Sequence, residues 1–121
     1  MVEHRTLLQS FKYAVDGVKF AIKDNQNLRI HLVAAIIVVI LSIFYKVGAY
    51  EMGILGVMIL LVISTEMINT SIEEMTNLIT KEHRQEAKIA KDVAAGMVLL
   101  TSIGSVIVGV LIFLPYILKS L

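Results

Sequence analysis

Cysteine and tryptophan are absent from the sequence, and proline occurs once. Without cysteine there are no disulfides and no thiolate metal sites, and redox compartment is left undefined. Charge is also scarce: 17% of the 121 residues are charged and 57% are hydrophobic. Mean hydropathy is +0.81. A water-soluble domain of this size needs more polar surface, so the composition points to one integral membrane domain over 1–121. The formal net charge of +1 makes no case for a nucleic-acid partner. There is no Walker A loop, no GxGxxG fingerprint and no internal repeat. The opening stretch, MVEHRTLLQSFKYAVDG, lacks the apolar core of a signal peptide, so the apolar segments themselves are expected to direct insertion.

What is present is long apolar runs with their charges placed unevenly. Over 6–23, Leu7, Phe11, Ala14, Val18 and Ile22 make one helical stripe, with Lys12, Asp16, Lys19 and Lys23 on the other side. That pattern predicts a helix lying in the membrane interface. DNQN (24–27) breaks it with residues that favour turns and caps. Three spans follow, over about 28–45, 52–72 and 93–114. KVGAYE (46–51) is a tight connection, and 73–91 holds an emerging helix, a turn near Thr80 and a returning helix. Pro115 is expected to end or kink the last span. Nine of the basic residues precede span one or lie between spans two and three, and only Lys46 and Lys119 fall on the other side. The bias predicts a cytoplasmic N-terminus and a cytoplasmic 73–91 loop.

Ionisable groups at membrane depth are costly and are kept for a purpose. In STEMINTSIEEMTN (64–77), Glu66, Asn69 or Thr70, Glu73 and Asn77 step by three or four and share a helix face. Arg84, Lys88 and Lys91 make a basic face beyond the loop, followed by the small residues AAG (94–96). Three spans are too thin a bundle to enclose such a site, so self-association is expected. The paired stripes have three uses on this pattern. Carboxylates can hold a divalent cation on phosphates while a Lys neutralises charge and a further carboxylate takes a hydroxyl proton. They can line an ion or proton pathway. They can also simply lock an oligomer.

EMINTSIEEMTNLI (66–79) and AKIAKDVAAGMVLL (87–100) resemble the small prokaryotic diacylglycerol kinase family, the three-span membrane lipid kinases. SFKYAVDGVKFAIK (10–23), NLRIHLVAA (27–35) and IFLPYI (112–117) extend the resemblance to nearly the whole chain, closer to the undecaprenol kinase branch. The resemblance implies a homotrimer with shared active sites in the bacterial plasma membrane. Its reaction is transfer of the γ-phosphate of Mg-ATP to a lipid hydroxyl, on undecaprenol or on diacylglycerol. A catalytically inactive relative acting as a scaffold or ion pathway is the alternative of another class. By the same resemblance Glu66 matches the proton acceptor and Glu73 the Mg2+ ligand. Asn69, Glu73, Lys91 and Asp92 match ATP-site positions, with Tyr13, Glu82, His83 and Arg84 as further nucleotide contacts. Glu66, Arg29 and Ala95 fall at lipid-substrate positions.

The sequence departs from the family at two positions. Asn25 stands where a second metal carboxylate is usual, and Asn77 where an Asp is usual. An amide can still offer an oxygen to Mg2+ or a hydrogen bond to phosphate without bringing charge, so Asn25 is expected in the metal and ATP site, and Asn25→Glu is expected to raise Mg2+ affinity. Asp24 and Glu74 are the nearest substitutes in sequence. Asp92 has a second reading as the N-cap of span three. His31 and Arg29 read as interfacial residues, His4 and His83 as surface residues, and no paired-His spacing supports zinc.

Overall fold

A computed structural model describes residues 5–121; His4 lies outside them. The described residues form four helices and no strand: α1 (Leu7–Asp24), α2 (Gln26–Phe44), α3 (Ala49–Ile79) and α4 (Gln85–Ser120). The last three are each long and apolar enough to cross a membrane.

Local chemistry explains where each element starts and stops. Thr6 and Gln9 form a capping box on α1, each side chain bonding the other's backbone N–H at 3.2 and 3.0 Å. Asn25 is both the end of α1 and the start of α2. Its N–H reaches Ala21 O at 2.9 Å, and its Oδ1 accepts from Leu28 N at 3.1 Å. Arg29 completes the corner, donating from Nη1 to Ile22 O and Lys23 O at 2.8 and 2.7 Å. Those are carbonyls in the last turn of α1, which the helix itself leaves unpaired.

The α2–α3 connection is a Schellman closure. Val47 N–H bonds Ser42 O at 3.0 Å and Lys46 N–H bonds Ile43 O at 3.2 Å. Lys46 takes φ 52°, the left-handed conformation usually given to glycine. Buried Val47 then packs with Leu55 and Phe113, the cluster that holds this turn end together, with Tyr45 and Tyr116 around it.

Helix α3 has 31 residues and α4 has 36. At 1.5 Å per residue these are about 46 and 54 Å long, well beyond the ~30 Å hydrocarbon core. The excess is the polar stretch of 73–91 on either side of the turn that begins at Thr80. Two expectations are corrected here. Helix α4 does not end at Pro115 but runs on to Ser120. The extra turn is held from outside: the Tyr116 hydroxyl donates to Glu51 Oε1 at 3.1 Å and accepts from Gly48 N at 3.3 Å. Nor is Asp92 an N-cap, because α4 begins seven residues earlier at Gln85 and Asp92 lies inside it.

Helix α3 packs chiefly on α4, and α2 packs on α3. Thr65 and Thr101 hydroxyls meet between α3 and α4 at 3.0 Å. One hydroxyl donates to the other, and the acceptor donates to a carbonyl of its own helix, which keeps these polar groups satisfied away from water. Along α1 only Ala21 is buried; Leu7 and Phe11 of the apolar stripe are exposed.

Candidate active site

Glu66 sits in the middle of α3 and is 2% exposed. A carboxylate there has lost its water and must find donors in the protein. It finds one donor at the α1–α2 corner, with a histidine close by on α2. Asn25 Nδ2, at the α1–α2 corner, donates to Oε2 at 2.8 Å. His31 Nε2, on α2, lies 3.3 Å from Oε1. Thr70, one turn further along α3, ties the group together: its hydroxyl donates to Glu66 O at 3.1 Å and accepts from Asn25 Nδ2 at 2.9 Å. These contacts all come from α2, α3 and the α1–α2 corner.

His31 also heads an apolar groove of about 90 Å³ between α2, α3 and α4, walled by Ala34, Ala35, Val38, Leu55 and Ile59. The groove runs along the bundle, away from the basic loop. Its His31 end lies next to Glu66.

A second group forms at the loop end of α3 and α4. Lys91 Nζ donates to Asn77 Oδ1 at 2.9 Å, across the two helices. Glu82, His83, Arg84, Lys88, Lys91 and Asp92 line one open cleft of about 500 Å³. Lys88 pairs with Asp92 at 2.6 Å, and that hydrogen bond and charge hold the Lys88 ammonium above its ordinary pKa of 10.5. Glu82 and Arg84 pair at 3.1 Å. The cleft therefore presents an unpaired ammonium at Lys91 and a ring of paired charges, chemistry suited to a polyphosphate.

The structure thus gathers the expected residues into two groups. Asn25 and Glu66 meet at one; Glu82, His83, Arg84, Lys91 and Asp92 meet at the other. From Glu66 to Asn77 along α3 is eleven residues, about 16 Å at helical rise. Glu73 lies between them, exposed, and Asn69 is half-buried on the same helix. Tyr13 belongs to neither group; it is half-exposed on α1 with Arg5 stacked 4.6 Å from its ring centre. Ala95 is exposed on α4, and Arg29 is spent on the α1 carbonyls. The sequence reading missed the role of His31, taken as interfacial. A histidine at the edge of an apolar span is as costly as Glu66 without a polar neighbour, and that is the signal for its place beside the carboxylate.

The described residues contain no cluster of three or more His, Asp or Glu side chains able to hold a metal ion. Glu73 fits a ligand's part: it is exposed and has no side-chain partner among the described residues. Asn25 fits poorly, because its N–H groups are directed at Glu66 and Thr70 and its oxygen at the positive N-terminal end of α2.

Comparison with known proteins gives a consistent family. The profile for prokaryotic diacylglycerol kinase matches residues 12–113. A diacylglycerol kinase of Synechocystis is 38% identical over 114 residues, covering 93% of this chain and 65% of that protein. The undecaprenol kinase of Bacillus subtilis is 37% identical over 117 residues, covering 93% of this chain and 95% of that protein. A diacylglycerol kinase of Haemophilus influenzae is 29% identical over 109 residues.

Proposed function

The chain belongs to the prokaryotic diacylglycerol kinase family, a family of membrane lipid kinases, and from that premise we propose that it transfers the γ-phosphate of ATP to the hydroxyl of a membrane lipid alcohol. The observation that carries the reading is Glu66: a buried carboxylate, held by donors, beside the head of an apolar groove. A lipid whose chain lies in that groove presents its hydroxyl to Glu66. Glu66 takes the hydroxyl proton as the oxygen attacks the γ-phosphorus. The new O–P bond forms, the bridging β–γ bond breaks, and ADP leaves with the displaced charge.

Lys91 and Arg84 attract the phosphates in the cleft, and Glu82, His83 and Asp92 line it. Asn69 and Glu73 lie on α3 between it and Glu66, and Tyr13, which joins neither group within one chain, is the further nucleotide contact that the family resemblance implies. Glu73 is the residue that would hold Mg2+, whose chemistry is to neutralise charge on the phosphates. The open loop-end cleft and the exposed Glu73 support a site completed by a neighbouring copy in a homotrimer. The exposed apolar stripe of α1 supports a place for it in the membrane interface, and the basic bias supports a cytoplasmic loop in the plasma membrane of a bacterium.

Undecaprenol is the first choice of acceptor, because the undecaprenol kinase relative is matched over 95% of its length. Diacylglycerol is the second, favoured by the relative at 38% identity. The test is ATP turnover by the purified protein in mixed micelles with Mg2+, comparing undecaprenol, diacylglycerol and no lipid. Label appearing in undecaprenyl phosphate is the expected result. Label in phosphatidic acid instead replaces the acceptor and keeps the kinase. Absence of lipid-dependent turnover from a folded oligomer rejects the kinase and favours a scaffold or ion pathway.

A further inference from the structure

We propose that Asn25 is a positioning residue for Glu66 and stands outside the metal shell that its place in the sequence suggests. The inference rests on the reading of Glu66 as proton acceptor. Its ground is the occupancy of the Asn25 amide. One N–H donates to Glu66 Oε2 at 2.8 Å and the other to Thr70 Oγ1 at 2.9 Å. The oxygen accepts from Leu28 N at 3.1 Å and so caps α2. Chemistry fixes this orientation. Exchanging oxygen and nitrogen would set two acceptors against each other at Glu66 and two donors against each other at Leu28. The amide nitrogen must therefore face the carboxylate, and the oxygen points at the N-terminus of α2, whose positive dipole end disfavours a cation.

The choice of an amide follows from what faces it. A carboxylate at position 25 would sit at hydrogen-bond distance from a second, buried carboxylate. Such a pair needs a proton or a cation between its members. An amide of the same size supplies a donor in that place. Asn25 then holds one Glu66 oxygen and His31 approaches the other at 3.3 Å. Each oxygen retains a lone pair to accept a substrate proton. Catalytic groups gain rate when their orientation is set before the substrate arrives, so this clamp should appear in kcat more than in binding.

The test compares the wild type with Asn25→Ser and Glu73→Gln in the intact detergent-solubilised protein. Serine retains a capping oxygen for α2 but is too short to reach Glu66, and unchanged elution as the native oligomer checks the fold. Two readouts are taken: Mn2+ binding by electron paramagnetic resonance with no substrate present, and steady-state kinetics. Expected for Asn25→Ser are a Mn2+ dissociation constant within twofold of wild type, a kcat lowered about tenfold, and a KM for ATP within twofold. Glu73→Gln is expected to weaken Mn2+ at least tenfold. A tenfold loss of Mn2+ affinity in Asn25→Ser would put the amide in the metal shell and overturn the proposal, as would an unchanged kcat. A wild type that phosphorylates no lipid alcohol defeats the kinase reading itself, and the Mn2+ titration then still decides whether the amide is a ligand.

Discussion

Helix α3 carries two half-hidden or hidden carboxylates, Glu51 and Glu66, and they are held in opposite ways. Glu51 is in the first turn of α3, where the helix dipole already favours negative charge. It is half-buried and takes one neutral partner, the Tyr116 hydroxyl. Glu66 is fifteen residues further on, in the interior of the helix, 2% exposed. No helix end compensates it there, so it draws on two other elements, through Asn25 and His31. One carboxylate clips the end of α4 to the α2–α3 turn and costs the fold little. The other is desolvated in the helix interior, where apolar packing could stand in its place, and the proposed reaction gives it a use.

The sharpest way to break that contrast is Glu66→Gln. Glutamine fits the same space with its oxygen toward Asn25 and its amide toward His31, whose Nε2 accepts in the other tautomer. The oligomer should remain folded while turnover falls by about 10²–10⁴, the usual contribution of a positioned general base. Wild-type turnover in the folded variant would end the assignment of Glu66 and leave the two carboxylates alike in being structural.

The same contrast marks what could be read from residue order. The joint at Asn25 was legible, because DNQN interrupts a stripe with cap-forming residues, and so was the turn at Thr80, where apolar spacing gives way to charge. Helical period placed Glu66, Asn69 and Glu73 on one face without any tertiary knowledge. Contacts between distant segments were not legible. Asn25 and Glu66 are 41 positions apart, so the amide read as an incomplete metal ligand and not as a donor. Tyr116 and Glu51 are 65 positions apart, and their bond explains why α4 runs through Pro115 when the local rule says it should stop. Local propensity marks where a helix is weak; only its partners decide whether it continues.

At the other carboxylate the expected effects reverse. Tyr116→Phe removes the hydroxyl shared by Glu51 and Gly48 but keeps the ring against the Val47–Leu55–Phe113 cluster. The loss should be about 1 kcal/mol of stability, the ordinary net value of such a bond, read as an earlier unfolding midpoint in a denaturant titration. Turnover at the permissive temperature should be unchanged. A fall in turnover with no loss of stability would mean that the turn end communicates with Glu66.

The smallest expected effect sharpens the comparison by strengthening the turn end. Lys46 closes α2 at φ 52°, where its Cβ crowds the backbone. Glycine takes that conformation freely, although it also loses more freedom on folding. The first effect outweighs the second at a closure whose two hydrogen bonds, from Val47 to Ser42 and from Lys46 to Ile43, demand the left-handed residue. Lys46→Gly should therefore stabilise the fold by up to about 1 kcal/mol. Combined with Tyr116→Phe it should restore most of the lost midpoint, because both substitutions act on the same turn. Turnover should stay at the wild-type value in the single and the double variant. A destabilised Lys46→Gly would show that the lysine side chain contributes more to this turn than its backbone strain removes.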